Sequence, residues 1–132
     1  MMLAPAIRRW PPDVDHHKEV AVGKDMYPQS TLKLAEKRHS LAPQTEDAFR
    51  AFSKKVFEDG ALPAKMKQLI AVAVAHTTQC PYCIKGHTKA ARRAGATPQE
   101  LMEAVWVAAE MKAGSAYAHA ALMLDTLEDM PD

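Results

Sequence analysis

Cys80 and Cys83 are the only two cysteines of the chain, Pro81 and Tyr82 lie between them, and His87 follows four residues after the second. Proline is favoured at the first position of a helix and glycine just past its end. Pro81 and Gly95 therefore bracket a helix with Cys80 as N-cap, Pro81 as N1 and Cys83 as N3, running to about Ala94. On it Cys80, Cys83 and His87 fall at i, i+3 and i+7, which is one face. The unpaired N–H groups and the dipole of a helix start favour negative charge, so a thiolate is well placed there.

Three chemistries fit such a cluster: a redox pair, a zinc site, or cysteines that only pack. A closed zinc site wants four protein ligands. Cys80, Cys83 and His87 are three, His76 would have to be the fourth, and the chain has no second CxxC and no HxxxH. Packing alone leaves two cysteines and a histidine on one face, beside a proline, as coincidence. For a redox pair, i and i+3 Cβ atoms on a regular helix are ~5–6 Å apart where a disulfide wants ~3.5–4.5 Å. A non-helical N-cap lets that gap close with a small backbone adjustment, giving a disulfide readily made and readily reduced. His87 could move a proton or hold the thiolate by a hydrogen bond.

The elements around the motif read as helices. Residues 1–29 carry four of the nine prolines and the pair His16-His17, and show no helical or strand period. They are expected to form an extended arm, either disordered or packed on a neighbouring subunit through Ile7 and Trp10; adjacent His16 and His17 do not face one way and make a poor metal site. A single domain is expected over residues 30–132. Its first helix, over residues 30–39, would place Leu32, Leu34 and Ala35 as apolar contacts. Pro43 starts a second with an acidic first turn, and Phe49, Phe52, Val56 and Phe57 recur at helical spacing as a buried stripe that Gly60 would cap. Pro63 opens a third, apolar nearly all round, on which Gln68 and His76 are polar and need partners if buried. After the CxxC helix, Thr97-Pro98-Gln99-Glu100 is a capping box with Pro at N1. Leu101, Met102, Val105, Trp106, Ala108 and Ala109 give that helix an apolar face to about Met111. Gly114 is expected to break or bend it before a last helix over residues 115–127. No segment alternates with period two and no glycine-rich phosphate loop occurs, so the chain is expected to be all-α, with about six helices.

Composition narrows the function. At 132 residues, 48% of them apolar, one globular domain is expected. A formal net charge of +1 gives no reason for nucleic acid or an anionic membrane as partner. No apolar run approaches the ~20 residues of a membrane span. The N-terminal residues lack a signal-peptide pattern, and one CxxC is no disulfide framework. A cytoplasmic protein with no cofactor and no bound metal is expected.

The run K-x-L-I-A-V-A-V-A-x-x-x-x-C-x-Y-C-x-x-x-H-x-x-A-A-x-x-A-G, within residues 62–124, resembles the alkylhydroperoxidase D / carboxymuconolactone decarboxylase family. The resemblance implies a helical subunit that assembles as a homo-oligomer, trimer or hexamer. It implies a peroxidase acting on small hydroperoxides through the CxxC pair, regenerated by a dithiol protein (lipoyl or thioredoxin type) or a small-molecule reductant. By that likeness Cys83 attacks the peroxide and becomes a sulfenic acid, Cys80 donates a proton and resolves it as the Cys80–Cys83 disulfide, and His87 sits in the proton relay. Two positions depart from the family. A glutamate is common twelve residues before the first cysteine, where this chain has Gln68, which can orient His87 but cannot accept a proton. Some members carry histidine where this chain has Tyr82, whose unperturbed phenol titrates near ~10. Helix-end physics favours Cys80 as the thiolate, whereas the resemblance makes Cys83 the attacking sulfur. Thiol–disulfide exchange without peroxide, or a non-catalytic helical scaffold or redox sensor, are the alternative functions.

Overall fold

The computed structural model describes residues 27–131, so the expected arm, with His16 and His17, lies outside them except for residues 27–29. Among the described residues there are five helices and no strand: α1 (Leu32–Leu41), α2 (Pro43–Phe57), α3 (Ala64–Thr78), α4 (Pro81–Arg93) and α5 (Pro98–Glu128). The all-α expectation holds. No helix among these residues is long and apolar enough to cross a membrane.

Local chemistry sets most boundaries. Thr31 caps α1 by accepting the Leu34 N–H, and Pro43 starts α2 at N1, where its missing N–H costs nothing. Glu46, in the first turn of α2, accepts from Arg50 at 2.6 Å and lies 3.6 Å from Arg38, tying α1 to α2. Thr97 and Glu100 form the full capping box at the start of α5. At the end of α4 the Gly95 N–H donates to the Arg92 carbonyl and the Ala96 N–H to that of Ala91. This Schellman turn needs a left-handed residue, supplied by Gly95 at φ +90°.

The core is small and central. Val72 on α3, Ala91 on α4 and Ala96 after it are packed together, with Leu69, Leu101 and Val105 against them. Alanines at the contacts let α3, α4 and α5 approach closely. Lys65 pairs with Glu100 at 2.6 Å, and Lys112 donates to the Thr77 carbonyl at 3.2 Å. Both partners advance by twelve residues between these contacts, so the first half of α5 runs parallel to α3. Leu101, Val105 and Ala108 are its inward stripe. The second half runs past the end of α3, and between Met111 and Glu128 only Ala120 is even half-buried.

Three expectations are corrected. Gly114 does not divide the last helix: α5 is continuous over 31 residues, giving five helices rather than six. Glycine weakens a helix interior by only ~0.5–1 kcal/mol and keeps its N–H, and strong helix formers flank it. Gly60 is not the cap of α2, which ends at Phe57 with Glu58 as C-cap. Side chains hold the following turn instead: Lys67 Nζ donates to the Glu58 carbonyl at 2.6 Å and Asp59 accepts the Ala64 N–H at 2.7 Å. The phenylalanine stripe is not buried within the chain. Phe49 and Phe52 are 64% and 63% exposed, because α2 lies at the edge of the α3–α4–α5 unit. Leu32 and Leu34 on α1, and Met102 and Trp106 on α5, are likewise open.

The continuity of α5 gives a direct test. A Cβ at residue 114 would meet only the Glu110 carboxylate, at an ordinary 3.5 Å. Gly114→Ala is expected to stabilise the protein by about 1 kcal/mol, read as a raised urea midpoint at fixed protein concentration. A lowered midpoint would mean that a second backbone needs the space at Gly114.

Candidate redox site

The site is built on the turn between α3 and α4. Gln79 ends α3 in the left-handed region, at φ 55° and ψ 40°, at a cost of about 1 kcal/mol for a non-glycine residue. It is the only non-glycine residue at positive φ among those described. This conformation reverses the chain in two residues, so that the Cys80 N–H donates to the Ala75 carbonyl at 3.1 Å and α4 runs back along α3.

Cys80 is the N-cap of α4, as expected, with extended backbone, and its sulfur accepts the Cys83 N–H at 3.3 Å. Both residues are free cysteines, Cys80 half-buried and Cys83 exposed. The hydrogen bond from the Cys83 side chain, followed by the backbone N–H groups of Cys83 and Tyr82, holds the Cys80 thiol below its ordinary pKa against partial desolvation. The same bond pushes Cys83 up, with desolvation and the charge of Cys80 adding to it. Of the two, Cys80 is thus the sulfur that ionises more readily, and the opposite shifts belong to the pair.

His87, one turn after Cys83, is positioned from α3. Its Nδ1–H donates to Gln68 Oε1 at 2.8 Å. An amide oxygen only accepts, so Nδ1 carries a proton, and in the neutral ring the open lone pair is then on Nε2. Phe57, at the end of α2, packs on the same ring with centroids 5.1 Å apart and planes tilted by 35°. Cys83 and His87 lie at one wall of a groove of about 440 Å³, otherwise lined by Val56, Phe57, Ile70, Ala71, Val74 and Ala75, with Lys67 and Thr78 also on it.

Gln68, Cys83 and His87 are therefore brought together, and Cys80 is joined to them through the sulfur contact. Tyr82 points elsewhere. Its hydroxyl donates to the Pro28 carbonyl at 2.6 Å and its ring meets that of Tyr27 edge to face. It holds the segment before α1 and lines a second groove, of about 800 Å³, with Arg38, Lys85 and Lys89. His76 is satisfied within its own helix, Nδ1 donating to the Val72 carbonyl at 2.7 Å. Among the described residues no three His, Cys, Asp or Glu side chains converge as a metal site. Lys67 belongs to the groove but was not singled out from the sequence, and Phe57 was read only as part of a buried stripe, because nothing local to either residue shows which way a helix edge will face.

Comparison with known proteins agrees with the geometry. The family model for carboxymuconolactone decarboxylases matches residues 43–126. The chain belongs to the carboxymuconolactone decarboxylase family. The match begins well before residue 62, where the likeness in the sequence motif started, and takes in α2. An uncharacterized protein of the cox locus of Paracoccus denitrificans is 57% identical over 103 residues, spanning 78% of this chain and 92% of that one. A crystal structure from Methanobacterium thermoautotrophicum superposes with a TM-score of 0.60 at 36% identity, over 64% of this chain and 94% of the other. An apo structure of a carboxymuconolactone decarboxylase family protein from Legionella pneumophila gives a TM-score of 0.58 at 33% identity, over 74% and 87% of the two chains. The family includes enzymes, alkylhydroperoxidase D-like peroxidases among them.

The thiol pair gives a pH-dependent test. A lowered pKa keeps Cys80 ionised at pH values where an ordinary thiol is protonated, so its alkylation by iodoacetamide should persist further toward acid. In Cys83→Ala the side-chain donor is gone, and the Cys80 alkylation profile should move to higher pH. Peptide mapping of the alkylated protein across pH 6–10 (a window about the ordinary ~8.5) reads both. Coincident profiles in wild type and Cys83→Ala would remove the sulfur–sulfur bond as the cause.

Proposed function

We propose that this protein is a dithiol peroxidase of the alkylhydroperoxidase D type, working in a reducing compartment such as the cytoplasm. The observation that carries the reading is the apolar groove that Cys83 and His87 both line, with the Cys80 sulfur accepting the Cys83 N–H beside them.

The reaction balances within these groups and one external donor. Cys83 gives its proton to Cys80, or to His87 Nε2, and its sulfur attacks the terminal oxygen of the hydroperoxide. The O–O bond breaks, the distal oxygen stays on Cys83 as a sulfenic acid, and the alkoxide takes a proton to leave as an alcohol. Cys80 then attacks the Cys83 sulfur, releasing water and forming the disulfide. A dithiol, protein or small molecule, restores both thiols by exchange. Gln68 takes no proton in this scheme; it orients the ring.

The working unit we propose is a homo-oligomer. Phe49 and Phe52 on α2 and Tyr117, Leu122, Leu124 and Leu127 on the second half of α5 are open to water, the kind of apolar surface that marks a protein contact, and a lone helix of that length gains too little from its own hydrogen bonds to stand unpacked. A second reading, thiol–disulfide exchange without peroxide, is favoured by one observation: the sulfur held as thiolate is Cys80, on the N-cap, the arrangement that suits exchange.

Mass spectrometry of the reduced protein with cumene hydroperoxide separates the readings. Peroxidase action predicts loss of the mass of two hydrogens in the wild type, a trapped sulfenic acid in Cys80→Ser, and none in Cys83→Ser. Reaction no faster than that of a free thiol, with brisk reduction of a disulfide substrate, would move the assignment to exchange. The relay is tested separately by Gln68→Glu. A carboxylate beside Nδ1 strengthens His87 as a proton acceptor, so thiol alkylation and peroxide consumption near neutral pH should rise about tenfold, on the order of one pKa unit of driving force. Unchanged rates would sink the idea that residue 68 acts through His87.

A further inference from the structure

The groove carries one full charge among its described lining residues, and no step of the proposed chemistry uses it. Lys67 stands on α3 in the stripe that continues through Ile70, Ala71, Val74 and Thr78, at the spacing of one helix face. It is half-buried. One of its three protons is committed to the Glu58 carbonyl, at 2.6 Å, which fixes the ammonium against the turn after α2 without neutralising it. The ion pairs of the described residues are Arg38–Glu46, His39–Asp47, Arg50–Glu46, Lys55–Glu58 and Lys65–Glu100, and Lys67 is in none of them. The nearby Glu58 carboxylate is taken by Lys55 at 2.8 Å. The other polar groups of the lining are Thr78, whose hydroxyl donates to the Val74 carbonyl at 3.0 Å, and the reacting pair Cys83 and His87.

The position of Lys67 along the groove is set by the antiparallel run of α4 on α3. His87 is level with Gln68 through their hydrogen bond, and Cys83 lies one turn further toward the Thr78 end. At ~1.5 Å of rise per residue the backbone of Lys67 is ~8 Å along the axis from that of Cys83. Between them the walls are Ile70, Ala71 and the Phe57 ring. A ligand that fills the groove with its reactive group at Cys83 meets an aromatic and aliphatic middle, then a cation.

We propose that Lys67 selects for organic hydroperoxides that carry a carboxylate at the far end of a short apolar or aromatic body. The inference rests on the peroxidase reading for the reactive end of the ligand, and on the groove itself for the anionic end. The ammonium donates its remaining protons to the carboxylate, a charge-assisted bond strengthened by the apolar walls, and this fixes the peroxide oxygen toward Cys83.

The test compares cumene hydroperoxide with its para-carboxylate, 4-(2-hydroperoxypropan-2-yl)benzoate, which carries the anion across the ring from the peroxide. Wild type, driven by a small neutral dithiol, is expected to prefer the carboxylate about tenfold in kcat/KM, mainly through KM, as a single charge-assisted hydrogen bond gives. Lys67→Met should bring the ratio of the two substrates to near one, and Lys67→Arg should keep most of it. A wild-type ratio near one, or a preference that survives in Lys67→Met, overturns the proposal. If neither hydroperoxide is consumed, the peroxidase reading fails and binding decides the inference. An NMR titration with the alcohol products, 4-(2-hydroxypropan-2-yl)benzoate and 2-phenylpropan-2-ol, then reads the groove without turnover. Lys67-dependent binding of the benzoate alone, with shifts at His87, upholds the inference, and its absence overturns it.

Discussion

The geometry of this protein depends on one turn. Gln79 takes a left-handed conformation that a side chain resists, and the chain reverses so sharply that Cys80 is bonded to α3 while capping α4. Everything the site does follows from that reversal. It places Cys80 where helix N–H groups meet its sulfur, lays α4 against α3, and brings His87 level with Gln68, 19 residues earlier in the chain. The turn is tied down by the Cys80 N–H bond to the carbonyl of the buried Ala75, and such support is how backbone strain persists at functional sites.

Charge is scarce where the chemistry would occur. Two sulfurs, an imidazole and an amide make up the proposed reacting group, and no carboxylate lines the groove among the described residues. Proton transfer in such a site is short-range: from Cys83 to Cys80 across one hydrogen bond, or to the ring beside it. The opposite shifts of the two cysteines have a common origin in that bond, so they belong to the pair rather than to either residue. This resolves the tension between helix-end physics and family likeness. Cys80 is the more acidic sulfur, whereas Cys83 is the one that lines the groove, and in the proposed chemistry a proton passes between them.

Much of this was legible in the sequence because it is encoded locally. Pro81 fixed the start of α4, Cys80 its cap, Gly95 its end, and Thr97 with Glu100 the start of α5, each through a hydrogen bond between near neighbours. That Gln68 can bond to His87 was read from its place twelve residues before Cys80, and the bond is present. What failed depended on packing. The phenylalanine stripe of α2 has the period of a buried face, but periodicity does not say what covers that face. Gly114 has the composition of a break, yet nothing in the structure asks the helix to end there. Gln79 gave no warning, since glycine or asparagine is the usual residue for that backbone, and the direction of Tyr82 depends on Pro28, 54 residues away.

The described residues bury few side chains, and of Val72, Ala75, Ala91, Ala96 and Ala108 all but the first are alanines. So small a core leaves little margin over the entropy of ordering the chain. The surface that would make up the difference is already on the molecule, on α2 and along the unpacked half of α5. Val56, Ile70 and Val74 belong both to that open apolar surface and to the walls of the redox groove. In the proposed assembly, covering these side chains would add to folding stability and also narrow the chamber around Cys83, lowering the local dielectric and strengthening every hydrogen bond in it. Stability and reactivity would then share one dependence on protein concentration, through mass action. A subunit that separates would expose its groove and lose its margin of stability together.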